Sequence, residues 1–321
     1  MTGPLVVVLG EVDDPPPGIE AASGDVDLRY ADGTDELIEL APQADAVYFW
    51  RADRDELPSA WTRLERLRWI QSASVGVDLL LFPALVESDV VVTNARGVFD
   101  EPIAEWVLGM VLAFTTDTLR TLSLQHERRW EHRETRRLAG SRLVIVGPGP
   151  IGRAAARKAR ALGMQVAAVG RTARVDDDLG QVTPIERLHE VLATADHVLN
   201  ALPLAPGTAG VFDAAAFAAM RPSATFVNVG RGGTVDEPAL IAALRDGGIA
   251  AAALDVFAEE PLPVDSPLWS LPNAVISPHM CGDFRGWEEE VVAIFVENAG
   301  RWVRGEPLRN VVDKRLGFGA G

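Results

Sequence analysis

Three residues in the second half of the chain have the types that act on a carbonyl. TFVNVG (225–230) is followed by Arg231, ALDVF (253–257) by Glu260, and VISP (275–278) by His279. Each stands just past a strand-like run, and open parallel sheets bind ligands beyond the carboxyl ends of their strands. A guanidinium can clamp a carboxylate bidentately and polarise the C=O beside it. An imidazolium can hydrogen-bond the carbonyl oxygen and deliver a proton as hydride arrives. A carboxylate next to that imidazole favours its charged form and orients the ring. The set implies reversible reduction of a carbonyl, with hydride from a nicotinamide.

A second constellation provides for that nicotinamide. VGPGPIGR puts Gly147, Gly149 and Gly152 at G-x-G-x-x-G spacing, between the strand-like RLVIV and the helix-like AAARKARALGM. In that context Gly147 permits the tight turn, Gly149 lets a pyrophosphate approach the backbone, and Gly152 lets helix and strand pack closely. The phosphate would sit on the free amides and positive end of the helix. Pro150 suits the first helical turn but removes one N–H, so Ile151 must supply more of the contact, with Arg153 as help. The next strand, QVAAVG, ends at Gly170, where dinucleotide folds place an acid for the ribose 2′-hydroxyl. Arg171, Thr172 and Arg174 follow instead, and these pair with a phosphate. NADP(H) is therefore expected in preference to NAD(H), which stays possible.

The elements that must hold these residues are legible as alternation. LVVVLG (5–10), DAVYFW (45–50), WIQSAS (69–74) and VVVTN (90–94) read as strands; a long helical pattern covers residues 101 to about 125. A second series follows in RLVIVG (142–147), QVAAVG (165–170), HVLNAL (197–202), TFVNVG, IAAAALDVF (249–257) and AVISPH (274–279). Val- and Ile-rich runs bounded by Gly or Pro fit parallel strands buried on both faces. Two series imply two α/β domains, the first ending near residue 96, with the last helical stretch (286–306) crossing back to it.

Composition narrows the partners. Of 321 residues 48% are apolar, and 46 acids against 30 bases give a net charge of −16, which disfavours nucleic acid and anionic membrane as partners. The run RRWEHRETRR (128–137) is read as a solvated or subunit-facing helix end. Cys281, the single cysteine, precludes an intramolecular disulfide and reads as packing; a cytoplasmic protein is expected. The N-terminal apolar run is too short for a signal peptide or span. No metal site is expected.

SVGVD (74–78), residues 94–114 and 138–153, NALPLAPGT (200–208), FVNVGRGGTVDEPAL (226–240), LDVFAEEPLPVDSPLW (254–269) and SPHMCG (277–282) together resemble the D-isomer-specific 2-hydroxyacid dehydrogenases over nearly the whole chain. The resemblance implies two Rossmann-like or flavodoxin-like domains with a cleft between them: residues 1–96 plus 284–321 for substrate, 97–283 for dinucleotide. It implies that Arg231, Glu260 and His279 are catalytic, and that Asp255 holds the nicotinamide carboxamide. Leu202, Pro203, Val229 and Gly230 join the cofactor contacts. The resemblance also implies that the backbone amides of Val75 and Gly76 take the substrate carboxylate and that the protein is a homodimer; Trp50 and Arg51, by their place after the second strand of the first domain, lie where the substrate side chain could sit. The implied reaction is NAD(P)H-dependent reduction of a small 2-oxoacid such as glyoxylate or hydroxypyruvate. A phosphoglycerate or formate dehydrogenase remains open, though the formate enzymes carry glutamine where Glu260 stands. So does a dinucleotide-binding corepressor that keeps a similar triad.

Overall fold

Apolar runs, many of them β-branched, become the buried strands of two mainly parallel sheets. The structure, a computed structural model, describes residues 3–319 apart from positions 79 and 206. The chain divides into two units, Met1–Phe99 with Phe284–Gly321, and Asp100–Asp283.

In the first unit β1 (Leu5–Leu9), β2 (Asp27–Ala31), β3 (Ala46–Phe49), β4 (Trp69–Ser72) and β5 (Val91–Thr93) pair in the order β2-β1-β3-β4-β5, all parallel. This is the flavodoxin-like order. Val7, Leu9, Val47 and Ile70 fill its core. The helix Trp287–Val303 belongs to this unit, where Phe295 stacks on Tyr48 at 4.3 Å and on Trp69 at 5.8 Å between ring centroids. β2 had no counterpart in the apolar runs of the sequence. It is an edge strand, half-exposed, so its residues lack the continuous apolar pattern.

The second unit holds β6 (Arg142–Val146), β7 (Gln165–Gly170), β8 (Arg174–Asp176), β9 (Gly180–Pro184), β10 (His197–Asn200), β11 (Thr225–Asn228), β12 (Ala251–Leu254) and β13 (Ala274–Ile276). Their order is β13-β12-β11-β10-β6-β7-β9-β8, with only β8 antiparallel. The β9-β7-β6-β10-β11-β12 portion is the doubly wound dinucleotide-binding arrangement, whose crevice opens between the ends of β6 and β10. The helix Pro150–Ala161 buries Ala154, Ala155, Ala156 and Ala159 fully, between the sheet and the helix Asp100–Thr115. Side chains this small let helix and strands approach closely.

Two sequence expectations need correction here. The helical pattern of residues 101–125 is two helices, Asp100–Thr115 and Thr118–His126, bent by 65°. At the break the Thr115 and Thr116 hydroxyls donate to the carbonyls four residues back, and Asp117 turns left-handed at φ 53°. The basic run 128–137 is not a helix end but an irregular exposed segment. Within it Arg129 bridges Glu127 and Glu131, and Arg133 pairs with Asp117.

The carboxyl edge of the second sheet is packed backbone against backbone. A Cβ on Gly147, which has φ 108°, would lie 2.5 Å from the carbonyl oxygen of Ala201 beyond β10. One on Gly230 would strike the Leu202 carbonyl, and one on Gly232 would overlap the Phe257 carbonyl beyond β12. Neighbouring loops are thereby drawn together in the sheet's own order. We expect Gly232→Ala to destabilise the protein by about 1–3 kcal/mol, as forced overpacking does. Urea unfolding of the variant against the parent measures it; an unchanged midpoint would show that this contact is not restrictive.

Candidate active site

The strand ends are polar where the strands are apolar. β10 and β11 both finish in asparagine, and Asn200 Nδ2 donates to Asn228 Oδ1 at 2.9 Å and to Thr234 Oγ1 at 2.7 Å. Asn200 Oδ1 accepts the Leu202 amide, and Asn228 Oδ1 accepts the Gly230 amide, both at 3.2 Å. Thr234 Oγ1 in turn donates to the Arg231 carbonyl at 2.6 Å. All three side chains are buried, so leaving any of them unpaired would be costly. The network sets the backbone of Leu202, Gly230 and Arg231. Sequence reasoning passed over these residues, although asparagine closing an otherwise apolar strand was a usable signal.

Arg231, Glu260 and His279 do come together. His279 Nδ1 lies 2.7 Å from Glu260 Oε2, and Glu260 Oε1 accepts the Phe257 amide at 2.8 Å. The hydrogen bond to Glu260 raises the His279 pKa above its ordinary 6.5, outweighing burial and the nearby Arg231 charge. Burial pushes the Glu260 carboxyl up. The bonds from His279 and Phe257, with the charges of His279 and Arg231, more than offset it and hold the group below 4.5. Arg231 Nη1 donates to the Gly230 carbonyl at 2.8 Å, tying the guanidinium to its own strand end.

His279 itself has φ 53°, in the left-handed region that few non-glycine residues adopt. Asp255 holds it there. Its carbonyl accepts the His279 amide at 2.9 Å, and its carboxylate accepts the amides of Met280 at 3.0 Å and Cys281 at 3.1 Å. Asp255 is only 1% exposed, so the expectation built on it gains a positioning part that the sequence did not disclose. Cys281 packs partly buried, and burial beside Asp255 pushes its thiol well up, which leaves it protonated and inert.

The glycine-rich turn fits a dinucleotide. Gly147 and Gly152 are surrounded by protein, whereas a Cβ on Gly149 would meet nothing within 4 Å. The space there is left for something other than the chain. Pro150 opens the helix Pro150–Ala161, and no side chain caps its N-terminus, which carries the positive end of the helix dipole. Leu202 and Val229 are buried and Pro203 is exposed, on the loops after β10 and β11. Arg171 and Thr172 are exposed, and Arg174 Nη2 reaches the Pro148 carbonyl at 3.3 Å. Arg153 is not available as phosphate help: its Nε and Nη2 donate to Asp176 at 3.0 and 2.9 Å.

In the first unit, neither the Val75 nor the Gly76 amide has an acceptor among the described residues, while Asn94 Nδ2 pins the Val75 carbonyl at 2.7 Å. Trp50 is buried, stacking on Trp287 at 6.1 Å and leaning on Tyr48 at 5.7 Å. Arg51 pairs with Asp14 and with Glu288 at 2.9 Å, and lies over the Trp50 ring. Both residues serve packing and ion pairing within their unit. Among the described residues no group of three or more His, Cys, Asp or Glu could hold a metal ion.

The His279–Glu260 pair has a defined pH signature. Because His279 is raised, its share of stability is complete below about pH 6.5 and is lost as pH climbs through the raised value. Because Glu260 is lowered, its share is present above 4.5 and is lost as pH falls through the lowered value. The pair therefore stabilises the fold between those limits. Glu260→Gln should move the His279 titration to lower pH, read from its ring proton by NMR. An unmoved titration would mean that the pair is not formed in solution.

Comparison with known proteins agrees with this geometry. Residues 108–281 match the model of the D-isomer specific 2-hydroxyacid dehydrogenase NAD binding domain. The chain is 35% identical over 267 residues to the glyoxylate/hydroxypyruvate reductase B of Citrobacter koseri, covering 79% of this chain and 80% of that one. It is 30% identical over 298 residues to the D-3-phosphoglycerate dehydrogenase of Methanocaldococcus jannaschii, covering 90% of this chain but spanning only 56% of that longer protein. A crystal structure of a D-isomer specific 2-hydroxyacid dehydrogenase from Xanthobacter autotrophicus Py2, in complex with NADPH and MES, superposes with a TM-score of 0.84 at 32% identity, covering 99% of this chain and 100% of that one. By its matched domain, its fold and the residues at its strand ends, the chain belongs to the D-isomer-specific 2-hydroxyacid dehydrogenase family.

Proposed function

We propose that the protein reduces a small 2-oxoacid, of the size of glyoxylate or hydroxypyruvate, to the D-2-hydroxyacid with NADPH. The observation that carries this reading is the His279–Glu260 hydrogen bond of 2.7 Å, with the Arg231 charge beside it at the same sheet edge as the glycine-rich turn. Arg231 binds the substrate and polarises its keto group. His279 presents Nε2 as a proton donor to the carbonyl oxygen, since its Nδ1 is engaged by Glu260. Glu260 keeps that imidazole protonated and turned. The Val75 and Gly76 amides receive the substrate carboxylate, and Asp255 receives the carboxamide of the nicotinamide. The bound nicotinamide supplies the hydride. Gly147, Gly149, Ile151 and Gly152 cradle the pyrophosphate, with Leu202, Pro203, Val229 and Gly230 along the rest of the dinucleotide. The size of the substrate is taken from the Citrobacter relative, named a glyoxylate/hydroxypyruvate reductase.

NADPH preference rests on the end of β7. No carboxylate stands there to repel a 2′-phosphate, and Arg171 is exposed with no partner among the described residues. The Xanthobacter relative was crystallised with NADPH. We read the physiological form as a homodimer.

Two measurements test the proposal. Following NADPH oxidation with a panel of 2-oxoacids, His279→Ala and Arg231→Ala should each lower kcat/KM by about 10²–10⁴. Full activity in either variant would remove that residue from the mechanism, and no turnover with any 2-oxoacid would favour a dinucleotide-binding regulator. For the parent protein, kcat/KM should be higher with NADPH than with NADH on one 2-oxoacid; the reverse order would sink the cofactor assignment.

A further inference from the structure

Pro148, between the first two glycines of the turn, meets both Gly170 at the end of β7 and Arg174 beyond it, the two sides of the proposed 2′-phosphate socket. A Cβ built on Gly170 would lie 2.6 Å from Pro148 Cγ and 3.0 Å from its Cδ, with Val182 Cγ1 at 3.1 Å on the other side. Val182 could give by a few tenths of an ångström. The Pro148 ring has less freedom: pucker can shift its Cγ, but its φ is locked and its Cδ stays with the turn set by Gly147. Gly170 is buried, so a side chain there has no other direction to take. The Pro148 carbonyl meanwhile accepts Arg174 Nη2 at 3.3 Å, which holds that guanidinium at the mouth of the socket.

We propose that Pro148 is a specificity-determining residue: its ring crowds the place of the Cβ that a ribose-binding carboxylate at position 170 would need, so that an acid there is disfavoured as long as proline stands at 148. The choice of cofactor is then written in two positions that must change together. A single Gly170→Asp exchange drives the new Cβ into the proline ring and displaces the turn that carries Gly149. Removing the ring by Pro148→Ala opens the room, while the alanine carbonyl stays available to Arg174. This deepens the NADPH reading above and rests on it for the sign of the preference. The steric coupling of the two positions does not depend on that sign.

Four proteins test it: the parent, Gly170→Asp, Pro148→Ala and the double variant. Each is measured for Tm, for the Kd of NADPH and NADH by quenching of intrinsic fluorescence, and for kcat/KM with both cofactors. We expect Gly170→Asp alone to lower Tm and weaken both dinucleotides. The double variant should regain Tm and bind NADH at least about tenfold more tightly than the Gly170→Asp single variant does, a coupling of the size neighbouring residues show. If Gly170→Asp alone gains NADH binding equal to the double variant, at parental Tm, Pro148 is not the gate. Should the parent itself prefer NADH, the cofactor assignment falls. The coupling would still be read from the four Tm values, and additive Tm changes would overturn it independently.

Discussion

Everything at the carboxyl edge of the second sheet depends on the close approach of backbones that glycine allows. Gly147, Gly230 and Gly232 stand where any Cβ would strike the neighbouring loop. The loops after β6, β10, β11 and β12 are therefore held in register, as their strands are. Arg231, flanked by two of these glycines, cannot drift from the Phe257 loop that presents Glu260. A spacing of about 50 residues along the chain becomes one contact set because side chains were omitted, not because attractive side chains were added.

The polar side chains act on top of that constraint. Asn200, Asn228 and Thr234 satisfy one another and the amides of Leu202 and Gly230, which is how buried asparagines can be tolerated at all. Asp255 does the same for the last loop. Its carbonyl and carboxylate take three successive amides, from His279 to Cys281, and hold His279 in a backbone conformation that is unfavourable in isolation. The histidine then meets Glu260 with one ring nitrogen, Nδ1. Rigidity of the backbone and the raised His279 pKa thus have separate causes, Asp255 for the first and Glu260 for the second.

The same packing logic holds at the end of β7. Pro148 and Val182 fill the volume that a Cβ on Gly170 would need. The asparagine network, the Asp255 staple and the Pro148 contact are thus all cases in which backbone proximity decides which side chain a position can carry.

Much of this was legible in the residues alone. Apolar runs such as RLVIV and TFVNV marked the buried strands, because strands covered on both faces need unbroken hydrophobicity. The turn glycines, and Arg231, Glu260 and His279 just past strand ends, were visible because chemistry at a parallel sheet concentrates there. The edge strands β2 and β8 were not, since an edge strand carries no such run, nor was β9, in which only Val182 is buried. Nor was the break at Asp117, which depends on threonine hydroxyls turning back onto carbonyls. Trp50 and Arg51 show what only the fold adds: Trp50 stacks on Trp287, and Arg51 pairs with Asp14 and Glu288. Local pattern determined which residues could do chemistry. Only the tertiary structure decided which were already engaged, because hydrogen bonds, ion pairs and excluded volume join residues whose separation in sequence carries no signal.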